Sequence, residues 1–378
     1  MNCPDAEVRE ILERLPQEPL PFDRLKRLSD RSRNLGRHRE AEIIDLVGLS
    51  LLASLVLTRD RENASFGAEV CTYALKVSRK QEFLGCRARF SYLLGEHAYR
   101  NLEYERAREL LTESDYSYTR LCETDEESYS PALASTLHSL GNLLADTEEF
   151  TEAEQAMSRA IDLLQQLATV KPQQYSKQLA PVLNNLGTLL GKQRRFSDAL
   201  EVLEKAERLP RDPNDLECKA ALAATLTNKA RALAEDGKPA AGIDAAEQSV
   251  RLRRELAHQA PERHMAGLAA ALINLSMLSG QTGTISDAFD SAKEAISILS
   301  GLLGQSPQYV PHLAVAMNNL AKALLDSGYP DEGQQLHRRG TDLYTTLAAV
   351  GPTAFQSDMA RFLDRLEARI DAKGDSRS

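Results

Sequence analysis

One phrase recurs along most of this chain, and its clearest form is Leu179-Ala-Pro-Val-Leu-Asn-Asn-Leu-Gly187. Further copies begin at Leu133, Leu268 and Leu313, and a looser copy begins at Leu222. Successive copies are offset by 46, 43, 46 and 45 residues. A fixed period of about 20–50 residues is typical of a solenoid, in which each unit buries its apolar face by stacking on its neighbours. The sequence therefore predicts a repeat array.

Each repeat is predicted to be a helix, a short turn and a second helix. In the copy that spans residues 174–209, apolar residues recur at helical spacing over 179–190 and form one stripe. The segment 192–196 interrupts this stripe. Ser197 and Asp198 follow the interruption, and both residue types are favoured N-caps for the second helix.

Small residues recur at matched points of the two helices. Gly187 in the first helix is followed by Ala199 after 12 residues and by Ala206 after 19 residues. The same spacing relates three further sets: Gly141, Ala153 and Ala160; Ser276, Ala288 and Ala295; Ala321, Gly333 and Gly340. Small side chains let two antiparallel helices approach closely, whereas a large side chain there would overpack the contact.

This spacing resembles the tetratricopeptide repeat over about residues 84–369. The Leu-Asn-Asn-Leu-Gly phrase is similar to the kinesin-light-chain-like branch, which has long repeats. The resemblance implies an all-α fold, a right-handed superhelical solenoid of antiparallel helix pairs, with about six to eight repeats of roughly 43–46 residues. Because the usual repeat is shorter, we expect the extra residues to lengthen the helices, chiefly the second of each pair. The repeat that contains Cys218 is expected to be abbreviated.

The chain divides into four predicted segments. Residues 81–354 form the repeat array, and residues 355–372 form a C-terminal capping helix with a polar outer face. Residues 373–378 are predicted to be a disordered tail. In residues 1–80 the repeat register blurs, so this helical segment consists either of degenerate repeats or of a separate cap.

Charge, cysteine content and motifs restrict the class of function. A net charge of −9 disfavours binding to nucleic acids and to anionic membranes. Five cysteines without a CxxC pair favour reduced thiols and a cytoplasmic location, and they indicate no zinc site. Neither paired histidines nor a nucleotide-binding or hydrolase motif is present. We therefore expect a protein that is not an enzyme, with no metal and no cofactor.

The resemblance implies that the concave wall, lined by the first helices, binds a peptide from a partner. Asparagine recurs at one repeat position of these helices, as Asn185, Asn228, Asn274 and Asn319. Asparagine is a poor helix former, so its recurrence needs a reason. The carboxamides could bind the N–H and C=O groups of a peptide backbone. Alternatively, each could satisfy a carbonyl of a neighbouring helix or loop.

Other polar residues of the first helices complete the predicted peptide-binding set: Asn142, Asn184, Lys192, Arg231, Asn318 and Lys322. Their mixed charges favour neither an acidic nor a basic class of ligand, and any one of them could equally belong to a solvated face.

Two functions remain open at this point. The first is a non-catalytic scaffold or adaptor that binds a protein or peptide segment in the concave groove. The second is a peptide-sensing regulator, in which binding repositions the N-terminal helices against another protein. The oligomeric state and the identity of the partner are not predicted.

Overall fold

The computed structural model describes residues 84–303 and 306–375, and the N-terminal segment 1–80 lies outside them. The described part contains thirteen α-helices, one 3-10 turn (Pro307–Tyr309) and no strand. The helices are α1 Leu84–Arg100, α2 Tyr104–Cys122, α3 Glu126–Asp146, α4 Phe150–Val170, α5 Pro172–Lys192, α6 Phe196–Glu207, α7 Leu216–Glu235, α8 Pro239–Gln259, α9 Pro261–Gln281, α10 Ile285–Leu302, α11 Val310–Asp326, α12 Pro330–Thr341 and α13 Leu343–Asp375.

The helices α1 to α12 form six consecutive pairs, each with an odd-numbered first helix and an even-numbered second helix. The described residues fall into two compact units, one that ends at Tyr175 and one that begins at Ser176. Within each unit, each helix packs mainly against its neighbours in sequence, and first helices also contact first helices. This arrangement confirms the predicted all-α solenoid of helix pairs. None of the helices in the described ranges is long and apolar enough to span a membrane.

One small residue of each first helix faces the second helix of its own pair. We call these six residues the anchors: Gly95, Gly141, Gly187, Ala230, Ser276 and Ala321. A Cβ atom added at Gly141 or Gly187 would lie 2.7 Å from the Cγ atom of Met157 or Leu203 on the partner helix. Added at Gly242 of α8, it would lie 2.9 Å from the carbonyl oxygen of Ala230. Small residues are therefore required by the distance between the paired helices.

The turn inside each pair has the same backbone in all six repeats. The seventh residue after each anchor has a positive φ, between 61° and 83°: Leu102, Glu148, Arg194, Gly237, Gly283 and Gly328. The next residue donates its N–H to a carbonyl five residues earlier, for example Arg195 to Leu190 at 2.9 Å. This is the backbone capping of a Schellman motif. The prediction that Ser197 or Asp198 caps α6 is wrong, because α6 begins at Phe196 without a side-chain cap.

Helix lengths differ from the sequence prediction. The first helices α3, α5 and α9 have 21 residues, as many as the second helices α4 and α8, so the extra length is not concentrated in the second helices. The helices α7 and α8 around Cys218 are of full length, with 20 and 21 residues. The shortened element is α6, with 12 residues. It ends before Pro210, which disfavours a helical conformation at Leu209.

The C-terminal helix α13 contains a break at Gly351, where φ is 77°. After the break, Phe355, Met359 and Phe362 are buried in the same core as residues of α10 and α11. The helix covers the predicted capping segment 355–372 and continues to Asp375. Residues 373–375, predicted to be disordered, are therefore helical, and residues 376–378 lie outside the described part.

Candidate functional site

The direction of a side chain on a first helix follows from its distance to the anchor. A helix turns by about 100° per residue, so the residue three before the anchor lies about 60° around the axis and the residue two before lies about 160° around it. The first position points towards the second helix of the same pair. The second position points away from the second helix. The two consecutive asparagines of the phrase therefore have different surroundings.

The position three residues before the anchor lies between helices. Thr227 Oγ1 lies 2.7 Å from Ser249 Oγ on α8, and Asn318 Oδ1 lies 3.0 Å from His337 Nδ1 on α12. Asn184 is only 5% exposed, and its Oδ1 has no hydrogen-bond partner. Asn318 therefore contacts the second helix of its pair, and Asn184 is buried.

His138 occupies this position in α3. Burial lowers the pKa of its imidazole to about 4, so the ring is neutral at neutral pH.

The position two residues before the anchor is occupied by Asn185, Asn228, Asn274 and Asn319, all in the unit that begins at Ser176. All four side chains are half-buried. In the part of the chain that the structure describes, Asn228, Asn274 and Asn319 make no side-chain hydrogen bond. The first helices that carry them contact one another, α7 with α9 and α9 with α11. We call these four residues the amide row.

Charged residues lie beside the amide row. Arg231, directly after its anchor, points Nη2 at Thr188 Oγ1 of α5 across 3.4 Å. Lys322, at the same position of α11, is exposed and pairs with Asp326 at 2.6 Å. Lys192 is exposed at the end of α5, and Asn142 is half-buried in α3 of the first unit. The surface next to the amide row therefore carries both signs of charge.

The sequence analysis missed two serines in the second helices. Ser114 and Ser249 stand 19 residues after their anchors, where four other repeats have Ala or Gly. Each hydroxyl donates to a carbonyl of the first helix, Ser114 to Ala88 at 2.9 Å and Ser249 to Ala223 at 2.8 Å. The sequence did contain a signal for them, because serine replaces alanine or glycine at the position 19 residues after the anchor.

A cavity of about 210 Å³ lies beside the shortened helix α6. It is lined by residues of α5, of the 209–211 segment and of α7, including Ser176 and Cys218. Ser176 Oγ is buried without a hydrogen-bond partner. The volume would hold a group about the size of benzene. The cavity exists because α6 ends about two turns earlier than α4 or α8 do.

Comparison with known families agrees with the repeat geometry. A family model described as tetratricopeptide repeat matches residues 133–168 and 181–206, which cover α3 to α6 in large part. The matched part of the chain consists of tetratricopeptide repeats. The anchors and the small residues 12 and 19 positions later are the features on which its helix pairs are built. No curated protein matches the sequence.

Three solved structures share this repeat fold. The crystal structure of BtubC (BKLC) from P. vanneervenii is 18% identical, with a TM-score of 0.52 over 65% of this chain and 92% of that chain. A Rap protein complexed with Competence and Sporulation Factor is 11% identical, with a TM-score of 0.52 over 92% and 98%. The apo form of the quorum sensor NprR from B. thuringiensis is 12% identical, with a TM-score of 0.51 over 85% and 97%. At these identities the likeness concerns the fold alone.

Proposed function

We propose that this tetratricopeptide repeat protein is a non-catalytic scaffold that binds an extended protein or peptide segment along the first helices α5, α7, α9 and α11. The observation that carries the proposal is the amide row. Its four carboxamides recur on helices that otherwise bury apolar residues, and three of them make no hydrogen bond in the described part of the chain. A recurrent helix-weakening residue without an internal partner favours an external one.

The spacing of the amide row suits an extended backbone. Packed helices lie about 8–10 Å apart, and an extended chain rises about 3.3 Å per residue, so one repeat corresponds to about three peptide residues. Four carboxamides would then engage a segment of about ten residues. Each carboxamide both donates and accepts, as does each peptide unit. Such binding fixes the main chain and leaves the side chains to neighbouring groups.

The neighbouring groups would adjust specificity. Arg231, Lys192 and Lys322 offer positive charge beside the row, and Asp326 offers negative charge. We propose that these residues discriminate between peptide side chains. Since exposed ion pairs are worth at most about 1 kcal/mol, we expect each of them to change affinity less than the amide row does.

The test compares two fourfold variants in affinity purification followed by mass spectrometry. One variant replaces the amide row by alanine. The matched control replaces four exposed amides of second helices by alanine: Gln155, Gln248, Gln334 and Gln335. We expect the control to recover the partners of the wild type and the amide-row variant to lose them. An amide-row variant that is folded by circular dichroism and keeps every partner would contradict the proposal.

A peptide-sensing regulator is the second candidate. It is favoured by the fold likeness, over 85% and 92% of this chain, to a quorum sensor and to a Rap protein crystallised with a factor. In that case a peptide bound to the amide row would change the contacts of residues 1–80. Hydrogen exchange should then show altered protection in this segment on peptide binding. If peptide binding left the protection of residues 1–80 unaltered, the regulator would be excluded and the scaffold would be the supported function.

A further inference from the structure

The helix α7 lacks a tyrosine that three other first helices share. The residue twelve positions before the anchor is Tyr129 in α3, Tyr175 in α5 and Tyr309 in α11, whereas α7 has Cys218 there. Tyr129, Tyr175 and Cys218 are all buried. A tyrosine side chain carries a phenol ring that a cysteine lacks, so the repeat around α7 has a ring fewer to fill the same place.

The first unit shows what fills the corresponding place. The ring of Tyr129 lies 6.4 Å, centre to centre, from the ring of Tyr118, which stands 23 residues after the anchor of the preceding pair. Both rings are buried. The residue 23 positions after Gly187 is Pro210, just beyond the end of α6. Pro210 and Cys218 both line the cavity of about 210 Å³. The cavity therefore corresponds, in the repeat, to the place where two aromatic rings pack between α2 and α3.

The walls of the cavity are mainly apolar, and a polar atom in them has no partner. Ala180, Pro181 and Leu222 supply apolar surface. Ser176 is only 4% exposed, and its Oγ makes no hydrogen bond with the described residues. A buried hydroxyl without a partner is costly, so an occupant that brings a hydrogen-bonding group would be favoured.

The cations at the cavity are already engaged. Lys177 pairs with Asp215, and Arg211 donates to two carbonyls at the end of α6. Glu217, which also lines the cavity, adds a negative charge. These groups favour a neutral occupant over an anion. Lys177 and Glu217 are exposed, so the cavity opens to solvent and a small molecule can enter.

We propose that this cavity binds a small neutral phenol, with its ring in the place of the absent tyrosine ring and its hydroxyl hydrogen-bonded to Ser176 Oγ. A phenol hydroxyl both donates and accepts, as a serine hydroxyl does. The volume suits one ring, because an apolar cavity of about 150 Å³ is enough to bind benzene. The inference does not depend on peptide binding, because no residue of the amide row lines the cavity.

Fluorine NMR of the full chain with three probes tests the proposal: 4-fluorophenol, fluorobenzene and 4-fluorobenzoate. We expect 4-fluorophenol to bind with a Kd of about 1 mM or below, as is reasonable for a ligand with so few atoms. The hydrogen bond to Ser176 should make it bind about threefold to tenfold more tightly than fluorobenzene. 4-Fluorobenzoate should bind more weakly than 4-fluorophenol, because its charge would lose water without gaining a free cation.

Two variants locate the binding in the cavity. Cys218→Tyr supplies the ring that the other repeats have, so it should abolish the binding of both neutral probes. Ser176→Ala should keep the affinity for fluorobenzene and lower the affinity for 4-fluorophenol to the same level. Ser130→Ala is the matched control, since Ser130 is a buried serine at the same repeat position of α3. It should leave both affinities unchanged.

The results that would overturn the proposal are specific. In the wild type they are no binding of 4-fluorophenol at millimolar concentration, or binding no tighter than that of fluorobenzene or of 4-fluorobenzoate. In the variants they are a preference for 4-fluorophenol that survives Ser176→Ala, or binding that persists in Cys218→Tyr when this variant is folded by circular dichroism. If Cys218→Tyr does not fold, Ser176→Ala decides, because it removes a single oxygen atom that has no partner.

Discussion

The turn between paired helices offers a quantitative test of the repeat geometry. Leu102 and Glu148 have φ values of 63° and 64° at a position where three later repeats have glycine. A left-handed conformation costs an L-residue about 1–2 kcal/mol, and glycine loses about 0.5–1 kcal/mol more backbone entropy on folding. Replacing either residue by glycine should therefore stabilise the chain by about 0.5–1 kcal/mol. Little packing is lost at Leu102, which is 70% exposed.

Arg194 is the third such residue, and we expect a smaller effect there. Its guanidinium lies 5.9 Å from the centre of the Phe196 ring. A cation–π contact of this kind at an exposed site is worth about 0.5–1 kcal/mol, which offsets the gain in backbone energy. Arg194→Gly should therefore be nearly neutral. The reverse change, Gly283→Ala, should destabilise by about 1 kcal/mol through backbone strain alone, because no atom lies within 4 Å of the added Cβ.

Differential scanning calorimetry measures these changes as shifts in Tm. One kcal/mol corresponds to about 2–4 °C for units of this size. Gln155→Gly, at an exposed site in the middle of α4, is the matched control and should lower Tm because glycine weakens a helix interior. If Leu102→Gly and Glu148→Gly lower Tm as Gln155→Gly does, the left-handed turn does not store the strain that we assign to it.

Three further changes probe the packing. The folded pKa of His138, about 4, lies below the unfolded value of 6.5, so the stability that its neutral ring contributes is present above pH 6.5 and is lost as the pH falls towards 4. In urea unfolding between pH 7 and pH 4, the free energy of unfolding of the wild type should fall by about 3 kcal/mol more than that of His138→Asn. Gly242→Ala places a Cβ 2.9 Å from the carbonyl oxygen of Ala230 and should destabilise by about 1–2 kcal/mol in the same assay. Ser249→Ala removes the hydrogen bond to the Ala223 carbonyl and should cost about 1 kcal/mol.

The helix pairs were predictable because each pair requires small residues at its close contact, and this steric requirement recurs in every repeat. Gly187 and Ala199 can be recognised in sequence, since a close helix contact tolerates only small residues whatever lies around it. The end of each helix was not predictable in the same way. The Ser197–Asp198 pair is a good cap by residue type, but α6 begins at Phe196, so both residues lie inside its first turn. The length of α6 depends on Pro210, which lies beyond the last periodic residue.

The sequence showed the recurrent pair of asparagines, but only the structure showed that their side chains point in different directions. Asn318 and Asn319 are adjacent in sequence, yet a step of about 100° places one against α12 and leaves the other unbonded.

In the described part of the first unit, no unbonded asparagine stands at the position of the amide row, and this difference restricts where a peptide should bind. At the position of the amide row, α3 has Ser139, which hydrogen-bonds the hydroxyl of Tyr92 on α1. Four residues after its anchor, Tyr99 donates to Asp146 of α3 at 2.6 Å. Here the polar groups of neighbouring first helices satisfy one another, whereas Asn228 and Asn274 have no internal partner in the described residues. Ser139→Ala should therefore leave peptide retention unchanged. If Ser139→Ala reduced retention as much as Asn274→Ala does, the peptide would bind the first unit, and our assignment of the binding surface to the unit that begins at Ser176 would be wrong.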